Sequence, residues 1–283
     1  MPEPNRKYFG AHACGLSARI RRPLEVNVPV QASVALPITG GTAEGEVKNG
    51  SFHGGMIRFD RVYSMVEGDF GDRETAAQFT FGNWNANPSP IAAKIVCQVE
   101  GLTYVNRGPL SVRTLSIGSL NLEINSIARS NLPTSFTVAT SITGVVLDGV
   151  AKLAVTLAPE ALKATSDQLA QAYEQDEQFY QRYGHMVIPP VPLAAGGPRM
   201  FPKAYGMTAA TVVDKIEWAG APLPGVAIHG NSVVFPDFGV IHFGEVMLSR
   251  FTRRISMLRV ELGSPDGGDS TAGEGSGGQH EYP

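Results

Sequence analysis

The sequence predicts a mainly β chain, an antiparallel β-sandwich or jelly-roll-like body with one inserted α-helix and a glycine-rich C-terminal tail. Three observations predict it. Segment after segment alternates apolar and polar residues with a period of two, separated by Gly, Pro and Asn. One stretch, 160–183, holds neither Gly nor Pro. Beyond Gly263 the composition collapses to Gly, Ser, Asp and Glu. The expected organisation is a β body over 1–158 and 208–262, an inserted helix and Pro-rich arm over 159–207, and a low-complexity tail over 263–283.

The first alternating segment is 24–38, Leu-Glu-Val-Asn-Val-Pro-Val onward. Pro29 and Pro37 lack the N–H that a ladder needs, which suits an edge strand. Asn49-Gly50 follows, a dipeptide that accepts the positive φ of a tight hairpin turn, so a hairpin is expected there. Strands are read over 56–66 and 76–82, with a turn-rich loop from Gly82 to Pro90. In 91–105, Ile95, Cys97 and Val99 point one way. Segments 110–128 and 134–157 continue the pattern, with Asp148-Gly149 as a second hairpin turn.

At Pro159 the period changes. Leu162, Leu169, Tyr173, Tyr180 and Tyr183 recur at helical spacing, with Pro159 suited to the first turn and Gly184 to the C-terminal cap. The proline-rich stretch 185–207 reads as an arm. Strands return over 208–218, 223–235, 239–248 and 254–262, with Arg253-Arg254 read as a turn. A tail of Gly, Ser, Asp and Glu cannot form a core, and it is expected to dock on neighbouring subunits.

Composition narrows the function. Apolar residues make up 43% of the chain, enough for a real core, while charged residues are only 17%, below the usual quarter. A net charge of −3 gives no electrostatic case for nucleic acid. The run Arg19, Arg21, Arg22 reads as a solvated strand end. No stretch of about 18 apolar residues is present, so no membrane-spanning helix is expected. Residues 1–7 show no apolar h-region, so no cleavable secretion signal is expected.

The common catalytic motifs are missing, and no cofactor is expected. Gly273-x-Gly275-x-x-Gly278 matches a dinucleotide fingerprint in letters only, because no helix follows it. His242 and Glu245 stand three apart, which on a regular strand places them on opposite faces. Asp60, Asp69 and Asp72 lie in an acidic stretch that could bind a metal ion or serve a hydrolase. Trp84 between Asn83 and Asn85 offers an aromatic plane flanked by amides, the chemistry of a carbohydrate site. Cys14 and Cys97 could form one disulfide or remain buried thiols. Tyr173 and Tyr180 on the helix and Tyr282 in the tail are candidate assembly contacts.

Several short segments resemble a known family. They are Ala11-His-Ala-Cys-Gly-Leu16, Leu36-Pro37-x-x-Gly40-Gly41, Val99-Glu-Gly101-Leu102, Leu120 to Ala128, Ile142-x-Gly144-x-x-Leu147-Asp148-Gly149 and Pro236-x-Phe238-Gly239-x-Ile241-x-Phe243-Gly244-Glu245. Together they resemble the bacterial surface proteins of the choice-of-anchor family, P type. The resemblance implies an exported β-rich protein at the cell surface, and it implies no catalytic residues. The chain departs from that pattern in its helical insertion and in lacking a visible signal or sorting helix.

The leading expectation is a non-enzymatic structural protein whose partner is itself, a subunit of a filament, sheath, surface layer or shell. A carbohydrate-binding module is the second expectation, and a hydrolase using the acidic loop is the third.

Overall fold

Alternation of apolar and polar residues is realised as seventeen strands in the computed structural model, which describes residues 7–21, 25–37, 40–69, 91–107, 111–129, 132–158, 207–249, 252–263 and 267–281. In chain order the strands are β1 (Lys7–Ile20), β2 (Val26–Gln31), β3 (Val34–Ala35), β4 (Gly41–Phe52), β5 (Ile57–Asp69), β6 (Ile91–Arg107), β7 (Val112–Arg129), β8 (Leu132–Thr143) and β9 (Val145–Leu147). They continue as β10 (Ala151–Leu157), β11 (Met207–Thr211), β12 (Val213–Trp218), β13 (Ala227–His229), β14 (Ser232–Phe235), β15 (Gly239–Ser249), β16 (Thr252–Leu262) and β17 (Gly268–Glu281). Every recorded pairing is antiparallel.

Two sheets result. One runs β13-β14-β15-β16-β17-β1-β2, with β11 on β15 and β3 on β1; the other runs β12-β10-β9-β7-β6-β5-β4, with β8 on β7. Their inner faces share one apolar core, in which Leu16, Ile20, Ile95, Leu122, Phe243 and Val260 are fully or almost fully buried. The mainly β expectation holds. The expected helix at 160–183 lies outside the described residues, as do Tyr173 and Tyr180.

The C-terminal tail corrects the sequence reading. Residues 268–281 form β17, a central strand bonded to β1 on one side and β16 on the other. Its glycines are what the packing requires. A Cβ on Gly275 would stand 3.0 Å from Ile95 Cγ2, 3.1 Å from Ile124 Cδ1 and 3.2 Å from Leu122 Cδ2. Low side-chain volume here marks close approach of the opposing sheet rather than a missing core.

The first hairpin turn is also displaced. β4 continues through Asn49-Gly50 without reversing, and the chain reverses instead at His53, Gly54 and Gly55, all of positive φ. Gly50 serves another purpose, since the Phe59 ring occupies the space that its side chain would fill. Asp148-Gly149 does form a turn of two positive-φ residues between β9 and β10. Arg253 and Arg254 lie within β16 rather than at a turn. Pro29 sits on β2, an edge strand, as its missing N–H requires.

A row of bends crosses each sheet. Register places Asn49, Asp60, Gly101, Gly118 and Gly144 side by side on successive strands of the second sheet. Asn49, Gly101 and Gly144, on alternate strands, carry φ of 54°, 63° and 66°. In the first sheet the row is Val212, Gly244, Met257, Gly273, Gly15 and Ala32, and again alternate members, Gly244, Gly273 and Ala32, have positive φ. Left-handed residues inside strands bend them and reset which side chains face inward.

Candidate functional site

The bend at Gly244 builds a charge cluster on the outer side of β15 and β16. Ile241 and Phe243 face the core before the bend, and Val246 faces it after. His242 and Glu245 therefore share the other face, contrary to the expectation from a regular strand. His242 Nδ1 lies 3.7 Å from Glu245 Oε1, and His242 Nε2 lies 3.6 Å from Glu261 Oε1. These are ion-pair distances, too long for hydrogen bonds.

Arg259 stands opposite His242 in register and ties the cluster together. Its Nε and Nη2 donate to the two carboxylate oxygens of Glu245 at 2.6 and 3.0 Å, a bidentate fork. It also bonds Glu261. Glu245 and Arg259 side chains are only 7% and 12% exposed, so their attraction is poorly screened. Burial works against the Arg259 charge, but the Glu245 carboxylate more than offsets it, and the guanidinium's pKa is raised. His242 and Arg259 hold the Glu261 carboxyl down to about 2.

A second pair continues the same face. Glu274 on β17 accepts from Arg254 at 2.6 Å and from Ser256 Oγ at 3.4 Å. Register puts Cys14 beside Glu274 on this face, whereas Cys97 points inward and reaches the Cys14 carbonyl oxygen at 3.4 Å. The β1 backbone thus stands between the two thiols, and both are free and buried. Burial, with Glu274 adding to it, pushes Cys14 up to about 12; burial pushes Cys97 up to about 11. Neither holds appreciable thiolate, the reactive form, near neutral pH.

The remaining sequence candidates are not brought together. Asp60 is exposed at the bend of β5, its carboxyl lying over Gly101. Asp69 ends β5 opposite Ala92, and Asp72 lies outside the described residues. Trp84, Asn83, Asn85 and Tyr282 lie outside them too. Among the described residues no group of three His, Cys, Asp or Glu side chains has the geometry of a metal site. Likewise, no described helix is long and apolar enough to cross a membrane.

The other notable feature is a strand edge. β8 pairs with β7 on one side, and no described strand pairs with its other side. Its sequence, Leu-Pro-Thr-Ser-Phe-Thr-Val-Ala-Thr-Ser-Ile-Thr, carries no charge. β10 turns away from it at Gly144 to pair with β9 and β12. Sequence reasoning read this segment as a strand but could not tell an edge from an interior strand. It missed the Arg259–Glu245 cluster, for which glycine at 244 inside an apolar strand was the available signal.

A family model described as a domain of unknown function (DUF8256) matches residues 7–103, from β1 through most of β6. No curated protein and no solved structure matches the chain.

Proposed function

We propose that this chain is a non-enzymatic structural protein, a self-associating subunit of a filament, sheath, surface layer or shell. The observation that carries the reading is the edge of β8, twelve residues long and free of charge, that no described strand pairs. An unpaired row of N–H and C=O groups is a template for another strand, and natural folds usually defend it with charge, proline or shortness. Within the sheet that faces the one holding β8, Arg259–Glu245 ties β16 to β15 and Arg254–Glu274 ties β16 to β17.

The test is assembly of the purified chain, followed by size-exclusion chromatography with light scattering and by negative-stain electron microscopy. Concentration-dependent oligomers or regular arrays are expected. A strict monomer at high concentration would overturn the proposal.

A further inference from the structure

We infer that β8 pairs with β8 of a second copy, antiparallel about a twofold axis near Val138, so that two sheets join edge to edge. This rests on the structural reading above and names its interface.

The case for a second copy comes from comparing the edges. β2 carries Pro29 within its six residues. β4 presents exposed Glu44, Glu46 and Lys48. β12 carries Asp214, Lys215 and Glu217. β13 is only three residues long, and the uncharged β11 only five. Each device discourages edge pairing. β8 has none of them over 134–143, and Pro133 stands at its start, clear of the ladder's centre.

A strand without charge offers a foreign charged strand nothing to complement, yet meets no repulsion from itself. Twofold pairing is also self-complementary, each copy using the same patch. Centred on Val138, it sets Thr137 of one copy opposite Ala139 of the other, both on the exposed outer face. Small and β-branched residues in such cross-strand positions pack without conflict. Facing residues then share a side of the joined sheet, so the inward row of Val138, Thr140 and Ile142 continues across the junction.

Charge at Thr137 and Ala139 tests this, because a homotypic ladder sets like charges against each other. Two double variants are made, Thr137→Lys with Ala139→Lys, and Thr137→Glu with Ala139→Glu. Circular dichroism checks that both retain the β fold. Each alone should self-associate at least tenfold more weakly than the wild type in sedimentation equilibrium. An equimolar mixture of the two should regain association, since opposite charges then face each other. Thr42→Lys on the already charged β4 edge should change nothing. Wild-type assembly that both double variants retain would overturn the β8 interface while leaving the structural reading standing. Variants that lose assembly but fail to restore it when mixed would overturn the homotypic pairing. A wild type that stays monomeric would overturn both.

Discussion

Gly275→Ala separates the central-strand position of residues 268–281 from a solvated tail by the sign of its effect. In a tail, replacing Gly by Ala at a permissive position stabilises by about 0.4–1 kcal/mol or does nothing, because only the unfolded chain notices. In β17 the new methyl would stand 3.0–3.2 Å from three buried methyl groups, against an ordinary contact of 3.4–4 Å. Overpacking of this kind costs typically 1–3 kcal/mol. Subtracting the unfolded-state gain leaves a net loss of about 1–2 kcal/mol. Gly275→Val adds two further carbons in the same space and should cost about 3 kcal/mol or more.

Ile124→Val completes a cycle. It removes Ile124 Cδ1, one of the three crowding atoms, and alone should cost about 1 kcal/mol. With Gly275→Ala the methyl enters the space just vacated, so the double variant should cost about 1 kcal/mol less than the sum. Urea unfolding followed by fluorescence and far-ultraviolet circular dichroism reads the midpoints, and an unchanged slope shows that stability alone moved. A stabilising Gly275→Ala, or a double variant additive within about 0.3 kcal/mol, would refute the packing of β17 against β6 and β7.

Two further predictions follow from the same sheet. Glu261 titrates at about 2 in the folded chain against an ordinary 4.5, so its contribution is intact above the ordinary value and is lost as pH falls through that interval. The urea midpoint of the wild type should therefore fall more steeply between about pH 4.5 and 2 than that of Glu261→Gln, and equal slopes would contradict the His242–Glu261–Arg259 arrangement. A chain ended after Leu262 loses the strand that separates β16 from β1, and it should show no cooperative thermal transition and rapid proteolysis. Wild-type resistance to protease in that truncated chain would contradict the topology.

The mainly β class was legible because alternation survives in most strands, and so was the turn at Asp148-Gly149. β17 was not. Its alternating small residues, Ser270, Ala272, Gly275 and Gly277, carry too little apolar volume to register as a core face, although Ala272 is fully buried. Only the opposing Ile95, Leu122 and Ile124 make those residues necessary, and that information sits more than a hundred residues away in the chain. Asn49-Gly50 misled for a related reason. Positive φ at Asn49 was read correctly as a local property, but it serves a bend within β4 rather than a reversal.

The bends also explain why the charge cluster escaped detection, and they leave a trace that a sequence alone carries. Inward residues run Ala11, Ala13, then Leu16, Ala18, Ile20 in β1, and Ile57, Phe59, then Val62, Ser64, Val66 in β5. They run Ile95, Cys97, Val99, then Leu102, Tyr104 in β6, and Leu115, Ile117, then Leu120, Leu122, Ile124 in β7. Each strand keeps a period of two and then skips by three at one point. A single slip would send one strand's apolar face to solvent. Skips aligned across a row keep every face inward and bend the sheet as a unit. On the outer face the same skip brings together residues three apart, which is how His242 and Glu245 come to share a side and how Arg259, opposite His242, reaches Glu245. The ion cluster is thus a consequence of the bend, and its buried Arg259–Glu245 pair ties β15 to β16 beside the point where their regular alternation is interrupted.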